Sequence, residues 1–416
     1  MNSKSLLIEG DCLEKMKHLP DESIDSIVTD PPYGYKFMGK KWDYDVPKVE
    51  VWEECLRVLK PGGFLLSFAG TRTQHRMAVN IEDAGFEIRD MIAWVYGSGF
   101  PKSHNIGKAV DKLQGNEREI IGKRIIGRAG TRADKRNANQ GFESGQMEID
   151  DTKGSSKYEG WGTVLKPALE PITVARKPFK GTVTNNVLKY GTGGINIDGC
   201  RVETEDNLNG GAYADNKNKV GGIYGKLDYE KTKEFKQPQG RFPANLIHDG
   251  SEEVEELFPD TKSGILTKGK SKSTKNTFGE FKERSLVGVG DSGSASRFFY
   301  VAKVSKKERN FGLESFEEKQ MGCNQSSLDS GKMLTGSGNE RSNLKANSHP
   351  TVKPIKLMQY LVRLVTPKNG LVLDPYVGSG STGIACKLES FRFIGIDDEK
   401  DYIDIARARI KAWGNE

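Results

Sequence analysis

Residues 371–397, LVLDPYVGSGSTGIACKLESFRFIGID, restrict the fold more than any other stretch. An apolar run ends in Asp374, a glycine loop and a helix-length segment follow, and a second apolar run ends in Asp397. Two buried-looking strands joined by a helix imply a parallel pair. Gly378, Gly380 and Gly383 form a GxGxxG between strand and helix. That spacing suits a tight turn, close ligand approach and close helix–strand packing. Asp397 sits where an acid would grip ribose hydroxyls. Alone, these features fit NAD, FAD or S-adenosylmethionine, while the absence of GK[ST] disfavours a P-loop. Asp374 argues among the three. A carboxylate before the first glycine neutralises the positive amino-acid end of S-adenosylmethionine, and it would repel a pyrophosphate.

One such unit cannot cover both faces of its own sheet, and residues 5–100 read as its complement. SLLIEGD, SIDSIVTD, FLLSFAG and EIRDMIAWVYG read as strands. CLEKMKHL, VEVWEECLRVLK and TQHRMAVNIEDAGF alternate with them at helical spacing, the second stopping at a PGG turn. IKLMQYLVRLVT, before the C-terminal unit, is an amphipathic helix. The simplest α/β architecture packs both chain ends into one doubly wound, mostly parallel sheet.

Residues 97–330 lose that rhythm. Apolar islands such as EPITVARKPF, GGINIDGCRV, RFPANLIHD and SRFFYVAK stand among Gly, Asn, Ser and Lys, and TKGKSKSTKNT and GSGNERSNLKANS read as mobile loops. The net charge of +6 resides in this region. Residues 101–300 carry 33 Lys+Arg against 27 Asp+Glu, and the rest balances at 30 against 30. Spread so widely, the excess is a weak nucleic-acid signal. No apolar run is long enough to span a membrane. The N-terminal apolar stretch is too short for a signal peptide. The five cysteines, at 12, 55, 200, 323 and 386, form no CxxC pair, which argues against structural zinc and disulfides and fits a reducing cytoplasm.

VTDPPYGYKF, residues 28–37, follows the SIDSIV run directly. Prolines there stop any ladder and stiffen the corner. At the mouth of a doubly wound sheet, where ligands bind, Asp30 offers a carboxylate and Pro31 a carbonyl. Two fixed acceptors suit a planar –NH2 group. Tyr33 adds a flat face for stacking a base, worth ~1–3 kcal/mol. Pro31 and Pro32 hold the corner rigid. An exocyclic amine of adenine or cytosine fits, and hydrogen bonds drawing it toward a tetrahedral shape make it nucleophilic. A Pro-rich turn with a surface tyrosine is the plain alternative for the four residues alone.

TDPPYG, HPTVKP at 349–354 and LDPYVGSGSTG together resemble the DNA N4-cytosine/N6-adenine methyltransferase family in its permuted β arrangement, and WGTVLKPALEPITVARKP and SRFFYVAK resemble its phage and prophage members less strongly. In that arrangement the catalytic motif precedes the target-recognition region and the cofactor motif comes last. The resemblance covers residues 5–100 and 345–412 well and the middle partly. It implies a Rossmann-like methyltransferase sheet built from residues 1–100 and 345–416. The long irregular α+β insertion, 101–330, would be the target-recognition region. It implies that Asp30, Pro31, Pro32 and Tyr33 hold a flipped base. Asp374, Pro375, Gly378, Ser379, Gly380 and Thr382 would cradle the methionine end of S-adenosyl-L-methionine, Asp397 its ribose and Asp11 its adenine. His349, Thr351 and Lys353 would belong to the segment closing over it. Asp398 departs from the pattern by adding a second acid beside the ribose position. GYKFMGKKWD is a long basic loop that can contact DNA or simply be solvated.

Protein-glutamine and ribosomal-RNA methyltransferases carry their [ND]PPY after the glycine loop; here it comes first. DPPY rather than SPPY leans toward adenine N6 over cytosine N4. The expected activity is methyl transfer to adenine N6 in duplex DNA after base flipping, without metal, by a monomer or homodimer, alongside a separate restriction endonuclease. A cytosine-N4 enzyme, an RNA methyltransferase or a non-catalytic DNA module are the alternatives. Pro259–Asp260 with Glu280 and Lys282 formally matches a nuclease pattern but lacks strand signal. Trp94 reads as core, and Trp161, in a polar setting, as packed rather than touching DNA.

Overall fold

The computed structural model describes residues 5–35, 43–99, 103–127, 146–206, 208, 238–262, 269–271, 274–276, 279–281, 284–286, 292–302, 308–316, 319–320, 332–334, 340–342, 344–345, 347–349 and 351–413. Nine strands make one sheet: β1 (Ser5–Glu9), β2 (Ile24–Thr29), β3 (Leu59–Phe68), β4 (Glu87–Val95), β5 (Leu169–Arg176), β6 (Leu246–His248), β7 (Tyr300–Val301), β8 (Leu371–Asp374) and β9 (Arg392–Asp397). Their order is β1-β9-β8-β2-β3-β5-β4-β6-β7. Every pairing is parallel except those of β5, which runs antiparallel to both β3 and β4. The sheet is therefore assembled from both chain ends, as expected.

Strand β2 shows how the ends are joined. All six of its residues are buried, as a run covered on both faces requires, so its polar members need internal partners. Asp25 accepts from Leu371 N and Lys60 Nζ, each at 2.7 Å. Ser26 pairs with the Thr366 hydroxyl at 2.8 Å, and Thr29 donates to Asp374 Oδ1 at 2.7 Å. These last two bonds tie residues 340 and 345 positions apart.

Alternation along the strands feeds two cores. Ile27 and Leu65 pack with Met16 of α1 (Cys12–Met16), Trp52 and Cys55 of α2 (Val49–Val58), and Met77 and Ile81 of α3 (Gln74–Asp83). Val28 and Leu66 face the other way. They join Leu361 of α5 (Ile355–Val365), Ile384 of α6 (Ser381–Leu388) and Ile410 of α7 (Lys400–Ala412). Helix α4 (Ile106–Gln114) lies outside both. The third glycine of the loop serves this packing. A Cβ on Gly383 would come within 2.3 Å of Ile410 Cδ1 and 2.7 Å of the Phe393 ring.

Two features differ from the sequence expectation. PGG is not a free turn: Pro61–Gly63 lie inside β3, where Gly62 takes φ +76° and donates its N–H to the Lys177 carbonyl. The span 101–330 is also not wholly separate from the sheet, since it supplies β5, β6 and β7. Within that span, α4 and the antiparallel ribbon Glu119–Gly127/Gln146–Lys153 fill the connection between β4 and β5. Arg118 ties the connection together through Asp111, Glu159 and the Thr152 carbonyl. Much of TKGKSKSTKNT and GSGNERSNLKANS, and residues 36–42 of the basic loop, lie outside the described residues.

Candidate active site

Chain order reverses between β8 and β2, the switch point at which open α/β sheets bind ligands beyond their strand ends. Four acids stand along that rim. Asp11 follows β1, Asp397 ends β9, Asp374 ends β8 and Asp30 follows β2. A cleft of about 580 Å³ runs past Asp11, Asp397 and Asp30. It opens beside a smaller crevice lined by Asp30, Asp374 and Lys353.

The DPPY corner is held by a residue the motif does not contain. The N–H groups of Tyr33, Gly34 and Tyr35 all donate to the Asp43 carboxylate, at 2.8, 2.9 and 3.2 Å. Gly34 takes φ +70° to present its N–H this way. Thr73 donates to the Tyr33 carbonyl at 2.7 Å. Pro31, Pro32 and Tyr33 all line the large cleft.

Asp30 sits at the centre of a buried cluster. Its Oδ1 accepts from the Tyr33 hydroxyl at 2.7 Å, and its Oδ2 from Lys353 Nζ at 2.5 Å. Glu170, at the start of β5, reaches the same group. Its Oε2 lies 3.1 Å from the Tyr33 hydroxyl and 3.3 Å from Lys353 Nζ. Burial alone would push Lys353 down, but Asp30 and Glu170 raise it, so the ammonium form is held. Burial, then the charges of Asp30 and Glu170, push the Tyr33 hydroxyl well up. Lys353 was expected in the segment closing over a cofactor; here it sits on the acid of the DPPY corner.

The cofactor side is tighter. Asp374 is 2% exposed. It accepts from the Thr29 and Thr382 hydroxyls at 2.7 and 2.6 Å and from Tyr376 N at 3.1 Å. A carboxylate has about four acceptor sites, so one remains for a ligand. Burial raises its pKa to about 6. Asp397 accepts from Gly378 N at 2.9 Å and Glu399 N at 3.0 Å, and burial raises it to about 7. Asp398 also lines the cleft, but Asp397 is the acid bonded to the glycine loop. Asp11 caps α1 through Glu14 N at 3.0 Å.

His349 lies over the loop: a Cβ on Gly378 would meet its Nε2 at 2.6 Å. Its ring packs edge-on against Tyr402, and burial lowers its pKa to about 4. Thr351 and Gly378 line both clefts, Pro375 the large one, and Ser379 and Thr382 the crevice. Gly380 lines neither; it turns the chain into α6 at φ +81°, where a Cβ would come within 2.9 Å of Ala406. Buried Arg409 of α7 braces the loop from beneath by donating to Ser379 O at 2.5 Å and Ser379 Oγ at 3.0 Å. Ser381 Oγ is buried in the crevice with no hydrogen-bond partner among the described residues. An unpaired buried hydroxyl and a spare acceptor on Asp374 fit an amino-acid moiety bound here.

Asp43, Glu170, Ser381 and Arg409 were not singled out from the sequence. Glu170 alone carried a signal: LEPITV, an acid and a proline beside a buried run, echoes VTDPPY in reverse. Trp161 is 62% exposed rather than packed, whereas Trp94 is core as expected. The nuclease-like Lys282 lies outside the described residues, and Asp260 is exposed.

The family model described as DNA methylase matches residues 24–408. The chain belongs to the DNA methylase family. Among curated relatives of this methylase, the type II methyltransferase M2.LlaDCHI of Lactococcus lactis subsp. cremoris is 35% identical over 122 residues, 28% of this chain and 42% of that protein. The type II methyltransferase M2.DpnII of Streptococcus pneumoniae is 43% identical over 89 residues, 20% of this chain and 33% of that protein. The chain thus spans less than half the length of these relatives. Among solved structures, an M1.HpyAVI–SAM complex is similar at 16% identity and TM-score 0.39, over 98% of this chain and 99% of that one. PvuII DNA methyltransferase, described as cytosine-N4-specific, is similar at 14% identity and TM-score 0.41, over 98% and 87%.

Proposed function

We propose that this DNA methylase transfers a methyl group from S-adenosylmethionine to adenine N6 within a specific duplex sequence, after the base leaves the stack. The observation that carries the reading is Asp30. It lies at the strand end where the DPPY cleft meets the crevice of Asp374, Gly378 and Thr382. S-adenosylmethionine supplies an electrophilic methyl on a sulfonium. The chain supplies the rest. Asp374 and Ser381 anchor the amino-acid end, Asp397 the ribose and Asp11 the adenine. His349 and Thr351 close over them. Asp30 and the Pro31 carbonyl accept the two N–H bonds of the target amine, pulling its lone pair out of the ring and aiming it in line with the methyl. The proton released after transfer passes to Asp30 and on to water. No covalent enzyme intermediate is required.

The span 101–330 would read the sequence and clamp phosphates. Exposed Trp161 and Leu165 project from the connection that enters β5 beside the active site. We further propose that the protein works in the cytoplasm, as a monomer or homodimer, beside a separate restriction endonuclease, as the type II naming of its relatives suggests.

The test uses methyl-labelled S-adenosylmethionine and unmethylated duplex DNA, digested to nucleosides. Label on N6-methyl-2'-deoxyadenosine supports the reading. Label on N4-methyl-2'-deoxycytidine would move it to the other amine, which presents the same donors to Asp30. Label confined to RNA or protein overturns it.

A further inference from the structure

Asp30 is the acceptor the proposed reaction needs, yet each of its oxygens already has a side-chain donor against it. The Tyr33 hydroxyl holds Oδ1 at 2.7 Å and the Lys353 ammonium holds Oδ2 at 2.5 Å. Both donors share a second acceptor. Glu170 Oε2 is 3.1 Å from the hydroxyl and 3.3 Å from Lys353 Nζ. The hydroxyl has one hydrogen and serves one carboxylate at a time. Lys353 is 7% exposed, with its Nζ 4.9 Å from the Phe68 ring centre. A buried ammonium that gives up one carboxylate must find another.

We propose that Glu170 is a positioning residue: it takes over Lys353 and the Tyr33 hydroxyl when the target base enters, and so frees Asp30 for the exocyclic amine. This rests on the reading of Asp30 as that amine's acceptor. Before DNA binds, Lys353 is a nitrogen donor on Oδ2, standing in for the amine itself. It keeps the carboxylate aimed and paired. The exchange needs no backbone movement, because each donor is already within reach of both acceptors. The cluster holds two carboxylates and one ammonium before and after, so its charge does not change. Glu170 can serve because β5 is antiparallel, and its first residues therefore stand at the rim where the neighbouring strands end.

Steady-state transfer of labelled methyl to unmethylated genomic DNA tests the exchange. Glu170→Gln keeps the side chain's size but removes the charge that draws Lys353 off Asp30. Its kcat/KM for DNA should fall on the order of 10²-fold, the scale for a misplaced reacting group. Cofactor affinity, read by calorimetric titration, should not change, since Glu170 lines neither cleft. Glu170→Asp, which keeps the charge, should lose less. Adding Lys353→Met removes the competing donor, so E170Q/K353M should recover about tenfold over E170Q, within the usual coupling of neighbours in one network. Recovery of kcat/KM without a matching rise in melting temperature marks the exchange; a double variant no faster than E170Q, or one whose recovery only follows restored stability, overturns it. If the wild type labels no DNA, the functional reading falls and the exchange with it. If it labels DNA and the double variant fails to recover, the exchange alone falls.

Discussion

Asp374 and Asp30 stand at the ends of adjacent strands, and their oxygens are held in opposite ways. Asp374 is bonded by two threonine hydroxyls and a backbone N–H that the sheet and α6 fix in place. Asp30 is bonded by two side-chain donors that share a neighbouring acceptor. The first arrangement is preorganised and leaves one position open for a ligand. The second has a movable donor on each oxygen, and both donors have another acceptor within reach. A ligand bound in the same way at every turnover suits a rigid cradle. A base that must be extracted from a duplex suits a site that closes on itself until the base arrives.

The comparison can be broken most sharply at Asp30. Asp30→Ala should lower methyl transfer on the order of 10²–10⁴-fold, the range for a group acting on a proton in the transition state, while cofactor titration stays as in wild type. Equal loss of cofactor binding would show that the two halves are one rigid unit.

On the cofactor side, Gly378→Ala meets both a left-handed backbone (φ +47°) and His349. Left-handed geometry costs an L-residue roughly 1–2 kcal/mol, so cofactor affinity should weaken by about tenfold. Unchanged affinity would mean that the loop yields and is not a fixed cradle.

A third effect follows from protonation. Asp374 at about 6 and Asp397 at about 7 are raised by burial, so each is protonated at pH values where an ordinary aspartate is ionised. A bound ammonium or ribose hydroxyl selects the ionised form. Cofactor affinity should therefore fall as pH drops from 8 toward 5, by up to about tenfold per pH unit for each proton taken up. Titrations across that range check the sign; affinity that rises on acidification would contradict it.

The smallest effect is expected at Trp161. Trp161→Ala should weaken DNA binding by about 1 kcal/mol, the lower end for an aromatic stacked on a base, with thermal stability within about 0.5 kcal/mol of wild type as for other surface changes. A loss of stability instead would return Trp161 to a packing role.

The difference between the two halves also explains what the amino-acid sequence disclosed. Asp374, Asp397, Asp30 and Asp11 each follow an apolar run in a parallel strand, so strand ends and acids coincide along the chain. The glycines announce the loop by spacing. Glu170 escapes this rule because its strand runs the other way, which puts the rim residue before the run. Asp43 lies at the far end of a basic loop, and nothing in KKWD marks it as the acceptor for three N–H groups of the corner. Arg409 sits 30 positions from the serine it braces, on a helix whose periodicity reports only that one face is buried. Local pattern encodes an element and its ends. Which side chain of another element completes a site depends on strand order and direction, and both emerged only in the folded sheet.

Methyl transfer itself decides the account. Wild-type protein and Asp30→Ala, each incubated with labelled S-adenosylmethionine and unmethylated duplex DNA, are compared by nucleoside digestion. The account predicts label on N6-methyl-2'-deoxyadenosine with the wild type and none above background with the variant, at equal cofactor occupancy. Label on DNA from the Asp30→Ala variant at the wild-type rate would contradict it.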